Sequence, residues 1–173
     1  MLRTYVNKRG CRAFLSPYYE RGGMEPADEV DKPFFVGRCN LGAITLHLPM
    51  IYAKAKNENK DFYEVLNYYL EMIRQLHKRT YDYLGEKKAG TNPLCFTQGG
   101  LRGGYLKPED KIKPLLKPMT MSFGITALNE LQRIHNGKSI YEDGQFALEV
   151  MQYINLKINE FKKEDEILYA IYG

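Results

Sequence analysis

Hydrophobic and polar positions change period several times along the chain, and each change marks an element. Residues Asn40-Leu41-Gly42-Ala43-Ile44-Thr45-Leu46-His47-Leu48 alternate and are rich in β-formers. They predict a strand, closed by Pro49 at the start of a helix. From Asp61, a suitable N-cap, the residues Phe62, Val65, Leu66, Tyr69, Met72, Ile73, Leu76 and Leu84 recur at threes and fours, the spacing of one buried helical face. Gly85 and the run Gly90-Thr91-Asn92-Pro93 end that helix. Leu94-Cys95-Phe96-Thr97 then reads as a short strand running into a glycine-dense loop from Gly99 to Gly104. After a connection rich in Pro and Lys, Met119-Thr120-Met121-Ser122-Phe123 predicts another strand, and Gly124 opens a helix that contains Leu128, Leu131 and Ile134 and stops at Gly137. A last amphipathic helix carries Phe146, Val150, Ile154 and Ile158 and leads into a strand from Ile167 to Gly173.

Strands separated by helices of this length predict an α/β architecture with crossover connections rather than a meander or a bundle. A parallel strand at the end of the sequence needs a partner on each side, so the chain reads as a piece of a larger sheet. Residues 1–39 are rich in Gly, Pro and charge and contain the break Gly22-Gly23. They read as mostly loop around the short apolar stretch from Cys11 to Leu15.

Composition narrows the picture modestly. With 173 residues and 44% hydrophobic content the chain can bury one sizeable core and is short for two. The 25 basic and 21 acidic residues leave a net charge of +4 without any run of five like charges. That is the balance of an ordinary solvated surface and not of a nucleic-acid-binding face. Cys11, Cys39 and Cys95 lie too far apart for a Cys-x-x-Cys motif or a disulfide scaffold. No stretch approaches 18 apolar residues, and the start lacks the apolar segment of a secretory signal, so a reducing, cytoplasmic setting is expected.

Several residue groups carry little chemistry by themselves. His47, His77 and His135 have no second ligand at helical spacing, which predicts structural roles and no metal site. The Gly99 to Gly104 run lacks both the Gly-Lys-Ser/Thr closure of a phosphate loop and the dinucleotide fingerprint, and predicts a turn. The 14 tyrosines, many on the helix from 61 to 84, are explained by amphipathic packing. A lone cysteine beside an apolar stretch, as at Cys11, is by spacing most simply a small buried hydrophobe.

Two longer blocks change that reading of Cys11. Gly10-Cys11-Arg12-x-Phe14-Leu15, followed by Gly37-Arg38-x-Asn40-Leu41-Gly42-x-x-Thr45-Leu46-x-Leu48-Pro49, closely resembles the active-site stretch of the anaerobic, glycyl-radical class of ribonucleotide reductases. Asn92-Pro93-Leu94 with Gln98-x-Gly100, then Ser122-Phe123-Gly124, resemble later blocks in the same order, so the likeness covers essentially the whole chain.

The resemblance implies part of a ten-stranded α/β barrel, with residues 1–39 as finger loop and connection and residues 40–173 as strand and helix units. It places Cys11 at the tip of the finger loop. A glycyl radical elsewhere in the full protein would take the hydrogen atom of the Cys11 thiol, and the thiyl would take the ribose 3′-hydrogen. Cysteine suits this exchange because its S–H bond is close in strength to the ribose C–H bond; the group must stay a thiol, since a thiolate has no hydrogen atom to give. Asn40 matches the asparagine whose amide holds the ribose hydroxyls. Arg38 would contact substrate or pair inside the barrel, and Ser122 and Gly124 are candidate substrate contacts. Strand alternation points Cys39 away from Asn40.

By the same resemblance the substrate is a ribonucleoside triphosphate and the expected reductant is formate, with a cysteine pair served by a redoxin as the alternative. A radical-SAM enzyme would activate the full-length protein, expected as a homodimer. The ATP-binding regulatory domain, the zinc-binding cysteine cluster and the radical-bearing glycine belong to other segments, and the piece alone is expected to be inactive. Another glycyl-radical enzyme would share the barrel and the cysteine but not the Asn40 block. A non-catalytic interaction or dimerisation remnant would keep only the helices.

Overall fold

The computed structural model describes residues 15–173. Cys11 lies outside the described residues. Two short strands, β1 (Tyr18–Tyr19) and β2 (Pro33–Phe34), form an antiparallel pair within an otherwise irregular segment. The main sheet has three parallel strands in the order β3 (Asn40–His47), β4 (Thr120–Thr126) and β5 (Leu168–Tyr172). The link from β3 to β4 contains α1 (Leu48–Asn57), α2 (Phe62–Gly85), a 3₁₀ turn (Ala89–Thr91), α3 (Pro93–Phe96) and α4 (Lys113–Leu116). The link from β4 to β5 contains α5 (Leu128–Asn136) and α6 (Gln145–Asp165).

Local chemistry sets the helix starts. His47 Nδ1 accepts from the Met50 N–H at 3.3 Å, and Pro49 sits in the first turn of α1, where no N–H is needed. Asp61 accepts from the N–H groups of Tyr63 and Glu64 at 2.9 and 3.1 Å and so caps α2. The capping aspartate is therefore where the sequence puts it.

The helices pack on one face of the sheet. Leu46, Met121, Phe123, Ile125 and Tyr169 from the strands join Val65, Leu66, Leu70 and Ile73 of α2 and Val150, Ile154, Ile158 and Phe161 of α6 in one core. At the end of α6, Asp165 receives Arg74 in a two-pronged pair at 2.7 Å, Lys78 at 2.9 Å and the Tyr169 hydroxyl at 3.0 Å, tying α2, α6 and β5 together. Burial opposes the Asp165 charge, but the bonds from Arg74, Lys78 and Tyr169 outweigh it and hold the carboxyl down at about 2.

The opposite face carries Asn40, Ala43, Thr45 and His47 of β3, Thr120, Ser122, Gly124 and Thr126 of β4, and Leu168, Ala170 and Tyr172 of β5, which the register places side by side. Most of these are small or polar. No helix among the described residues packs there.

Three sequence expectations change. Leu94 to Thr97 is not a strand: Pro93–Phe96 forms one helical turn, because Asn92 Oδ1 accepts from the Cys95 N–H at 3.3 Å and Pro93 starts the turn. Gly124 does not open a helix. It lies inside β4, and α5 begins only at Leu128, after Ala127 in a left-handed conformation. On α2, Met72 and Leu76 are each 41% exposed, while Leu70 and His77 are buried instead. Met72 and Leu76 line an apolar groove of about 330 Å³ along β3 with Ile44, Met50 and Tyr69.

Candidate active site

Asn40 stands at the start of β3 beside an irregularity in the ladder. Asn40 pairs with Thr120 and Gly42 with Met121, so Leu41 is an extra residue on β3. This is a β-bulge, the device that re-aims side chains within a strand. Without it, alternation would put Asn40 with Gly42, Ile44 and Leu46 beneath the helices. With it, Asn40 shares the open face with Ala43 and Thr45, while Leu41 packs against the core.

The Asn40 amide is held at both ends. Its Oδ1 accepts from the Gly42 N–H at 3.0 Å, and its Nδ2 donates to Ser122 Oγ. Because a backbone N–H can only donate, the oxygen of the amide must face Gly42, which leaves the NH₂ toward Ser122. One Nδ2–H and one Oδ1 lone pair remain. The half-buried amide thus keeps one donor and one acceptor site without a protein partner among the described residues.

Ser122 is fully buried, so the structure places its hydroxyl behind Asn40 rather than at the surface. Its carbonyl accepts from His77 Nε2 at 3.2 Å, which requires the proton on that nitrogen. Burial pushes His77 down to about 4, and the ring packs edge-on to Phe123 at 5.0 Å. His77 is therefore neutral at pH 7 and braces β4 from the helical side. Gly124 lies two residues further along the same face. A Cβ there would overlap Thr45 Oγ1 and come within 2.7 Å of Tyr172 Oη, whose two hydroxyls bond to each other at 2.8 Å.

Arg38 is 8% exposed. Its guanidinium donates to the carbonyls of Pro118, Phe34 (2.6 Å) and Ser16 (2.7 Å), and reaches Thr120 Oγ1 at 3.5 Å. Burial pulls it down to about 10, so it stays charged. These contacts lie inside the protein. Cys39 turns its Sγ to Met119 Sδ at 3.6 Å, and burial pushes its thiol up. The Gly99 to Gly104 run closes on itself through Gly99 N–H to Gly104 O at 2.7 Å and docks on Gly37 through the Arg102 N–H at 2.8 Å.

Of the sequence candidates among the described residues, Asn40, Ser122 and Gly124 share one face of the sheet and Arg38 is held away from it by backbone carbonyls, while two further residues, Thr45 and Tyr172, join that face. Thr45 was visible inside the Asn40 block; Tyr172 carried no signal beyond its place in the last strand. The bracing by His77 was equally hidden, since nothing in the sequence sets that ring against β4.

A parallel sheet with helices on one face and small and polar strand residues on the other defines a class, the mixed α/β proteins. The family model for anaerobic ribonucleoside-triphosphate reductase matches residues 2–173, and the chain belongs to that family. Proteins of that name from Haemophilus influenzae, Escherichia coli and Enterobacteria phage T4 are 27%, 24% and 27% identical to it, over 95%, 98% and 97% of this chain. The matches cover 22%, 24% and 26% of those relatives, so the chain spans about a quarter of their length.

Proposed function

We propose that this chain is the part of an anaerobic ribonucleoside-triphosphate reductase that holds the ribose during reduction, with Asn40 as its hydroxyl-binding group and Cys11 as the hydrogen-atom carrier. The observation that carries this reading is the Asn40 amide, locked by Gly42 and Ser122 with one donor and one acceptor left over. A ribose presents two adjacent hydroxyls, each able to give and accept, and that pair matches the two free sites. Ala43, small and exposed on the same face, stands beside it.

In this reading the Cys11 sulfur exchanges a hydrogen atom with the ribose 3′-carbon, forming an S–H bond as the C–H bond breaks, while Asn40 keeps the hydroxyls in place for that transfer. For this the Cys11 thiol would first give its hydrogen atom to a glycyl radical in the full-length protein, leaving the thiyl that accepts the ribose hydrogen. Formate is taken as the reductant, with a cysteine pair served by a redoxin as the alternative. The sheet of three strands, with its helices on one face, fits a segment of a ten-stranded barrel whose inner face is the open one. The radical-SAM activating enzyme, the homodimer, the nucleotide effectors and the zinc site belong to the same proposal for the complete, cytoplasmic protein. No helix among the described residues is long and apolar enough to cross a membrane.

The test is anaerobic nucleotide reduction by the full-length protein after activation. Cys11→Ser is expected to abolish product while leaving the glycyl radical visible by electron paramagnetic resonance. Asn40→Ala is expected to lower kcat by about a hundredfold or more. Turnover by Cys11→Ser would sink the reading.

A further inference from the structure

We infer that Arg38, Thr120 and Lys162 form a clamp on Ser16 that fixes the chain ahead of β3 to the rung of the sheet carrying Asn40, and that Arg38 and Lys162 act through it as positioning residues for the proposed reaction. This rests on the reading above, in which Cys11 and Asn40 act on one substrate.

Ser16 is 5% exposed, and every polar group it has is held by a different element. Its N–H donates to Thr120 Oγ1 at 3.1 Å, its carbonyl accepts from Arg38 at 2.7 Å, and its hydroxyl accepts from Lys162 Nζ at 3.2 Å. Thr120 is the register partner of Asn40. Arg38 is two residues before Asn40 and also grips Phe34 and Pro118, the residues that lead into β3 and β4. The clamp therefore joins the segment before β3 to the rung of Asn40 through one residue. In the sequence Cys11 is five residues before Ser16, so a shift at the clamp is passed along the chain to the residue proposed to carry the hydrogen atom.

The chemistry of the clamp also needs explaining. Neither Arg38 nor Lys162 makes an ion pair with a carboxylate among the described residues. Taking cations out of water for neutral partners costs stability, and a joint needed only to hold the fold could use apolar contacts instead. What the cations provide is direction. The guanidinium fork donates to three carbonyls from fixed directions, a constraint that a hydrophobic contact cannot impose.

The experiment uses the full-length reductase, activated as above, with Arg38→Lys and Lys162→Met compared with wild type. Arg38→Lys keeps the charge and loses the fork; Lys162→Met keeps the stem and loses the bond to Ser16. Both are expected to form the glycyl radical normally and to keep KM within twofold, while kcat falls by about tenfold or more, as for a small misplacement of reacting groups. Asp165→Asn serves as the control for destabilisation alone, because it loosens the far side of the sheet and is expected to leave kcat unchanged.

Unchanged kcat in both clamp variants would overturn the proposal, as would a raised KM with kcat retained, which would make Arg38 a substrate contact. If Arg38→Lys does not fold, Lys162→Met decides. Hydrogen exchange at the Ser16 amide separates this proposal from the functional reading. Lys162→Met is expected to speed that exchange by tenfold or more even if the wild-type enzyme reduces no nucleotide, and unchanged exchange would overturn the clamp by itself.

Discussion

A methyl group at position 124 would collide with the Thr45 and Tyr172 hydroxyls, which bond to each other across the face of that glycine. Gly124→Ala is expected to lower stability by roughly 1–3 kcal/mol through overpacking. Thermal unfolding should report it, at about 2–4 °C of Tm per kcal/mol for a chain of this size. In the proposed function Ser122 acts through Asn40. Ser122→Ala removes the acceptor that orients the Nδ2 end of the amide, so kcat in the full-length enzyme should fall while Asn40 remains in place. Were Ser122 instead a direct substrate contact, KM would carry the change.

At the scale of elements, two buried groups make the packing of α2 sensitive to acid. His77 is neutral in the fold, with its ring pushed down to about 4, against about 6.5 in an unfolded chain. Between those values the unfolded state binds the extra proton, so stability rises with pH across that window and is lost as pH falls from about 6.5 to about 4. The full effect is about 3 kcal/mol. His77→Gln cannot titrate and can still donate to the Ser122 carbonyl, so denaturation midpoints measured between pH 4 and 7 should lose most of their slope in that variant. Asp165 acts lower down. Its carboxyl is held at about 2 by Arg74, Lys78 and Tyr169, so its contribution is present above about 4 and disappears as pH falls toward 2. Asp165→Asn should cost about 2 kcal/mol at pH 7 and much less at pH 2.

At the scale of the molecule, one face of the sheet is covered by helices and the other is exposed at Ala43, Thr45 and His47 of β3, and β3 is bordered by the groove of Met72, Leu76, Met50 and Ile44. The proposed barrel gives that groove an occupant: the next strand and helix unit of the longer protein, in keeping with relatives about four times as long. Leu76→Lys should therefore change the stability of the 173-residue chain by no more than about 0.5 kcal/mol. The same substitution in the full-length protein would bury a charge and should lower Tm by several degrees. Equal tolerance in both would remove this groove as an internal contact.

The sequence by itself determined the elements whose signals are local. Asp61 and Gly137 bound their helices, the 3.6-residue period places Val65, Leu66, Ile154 and Ile158 in the core, and the Gly-Cys-Arg and Asn40 blocks mark the family. These follow from neighbours in the chain, where capping and periodicity act. Its errors came where distant chain competes with local propensity. Gly124 reads as a helix start, yet it extends β4 because the ladders from β3 and β5 continue past it. Met72 and Leu76 read as core, yet no described residue covers the groove they line. The site depended on the same kind of information. Strict alternation sends the Asn40 side chain under the helices, and only the pairing of β3 with β4, with Leu41 squeezed out of register, turns it to the open face. By sequence Arg38 is a substrate contact or a residue that pairs inside the fold, and its sequence neighbours do not decide between them. The carbonyls of Ser16, Phe34 and Pro118, gathered from three places in the chain, give the guanidinium its partners. A side chain's role is set by what surrounds it in space, and that is known only once the chain has folded.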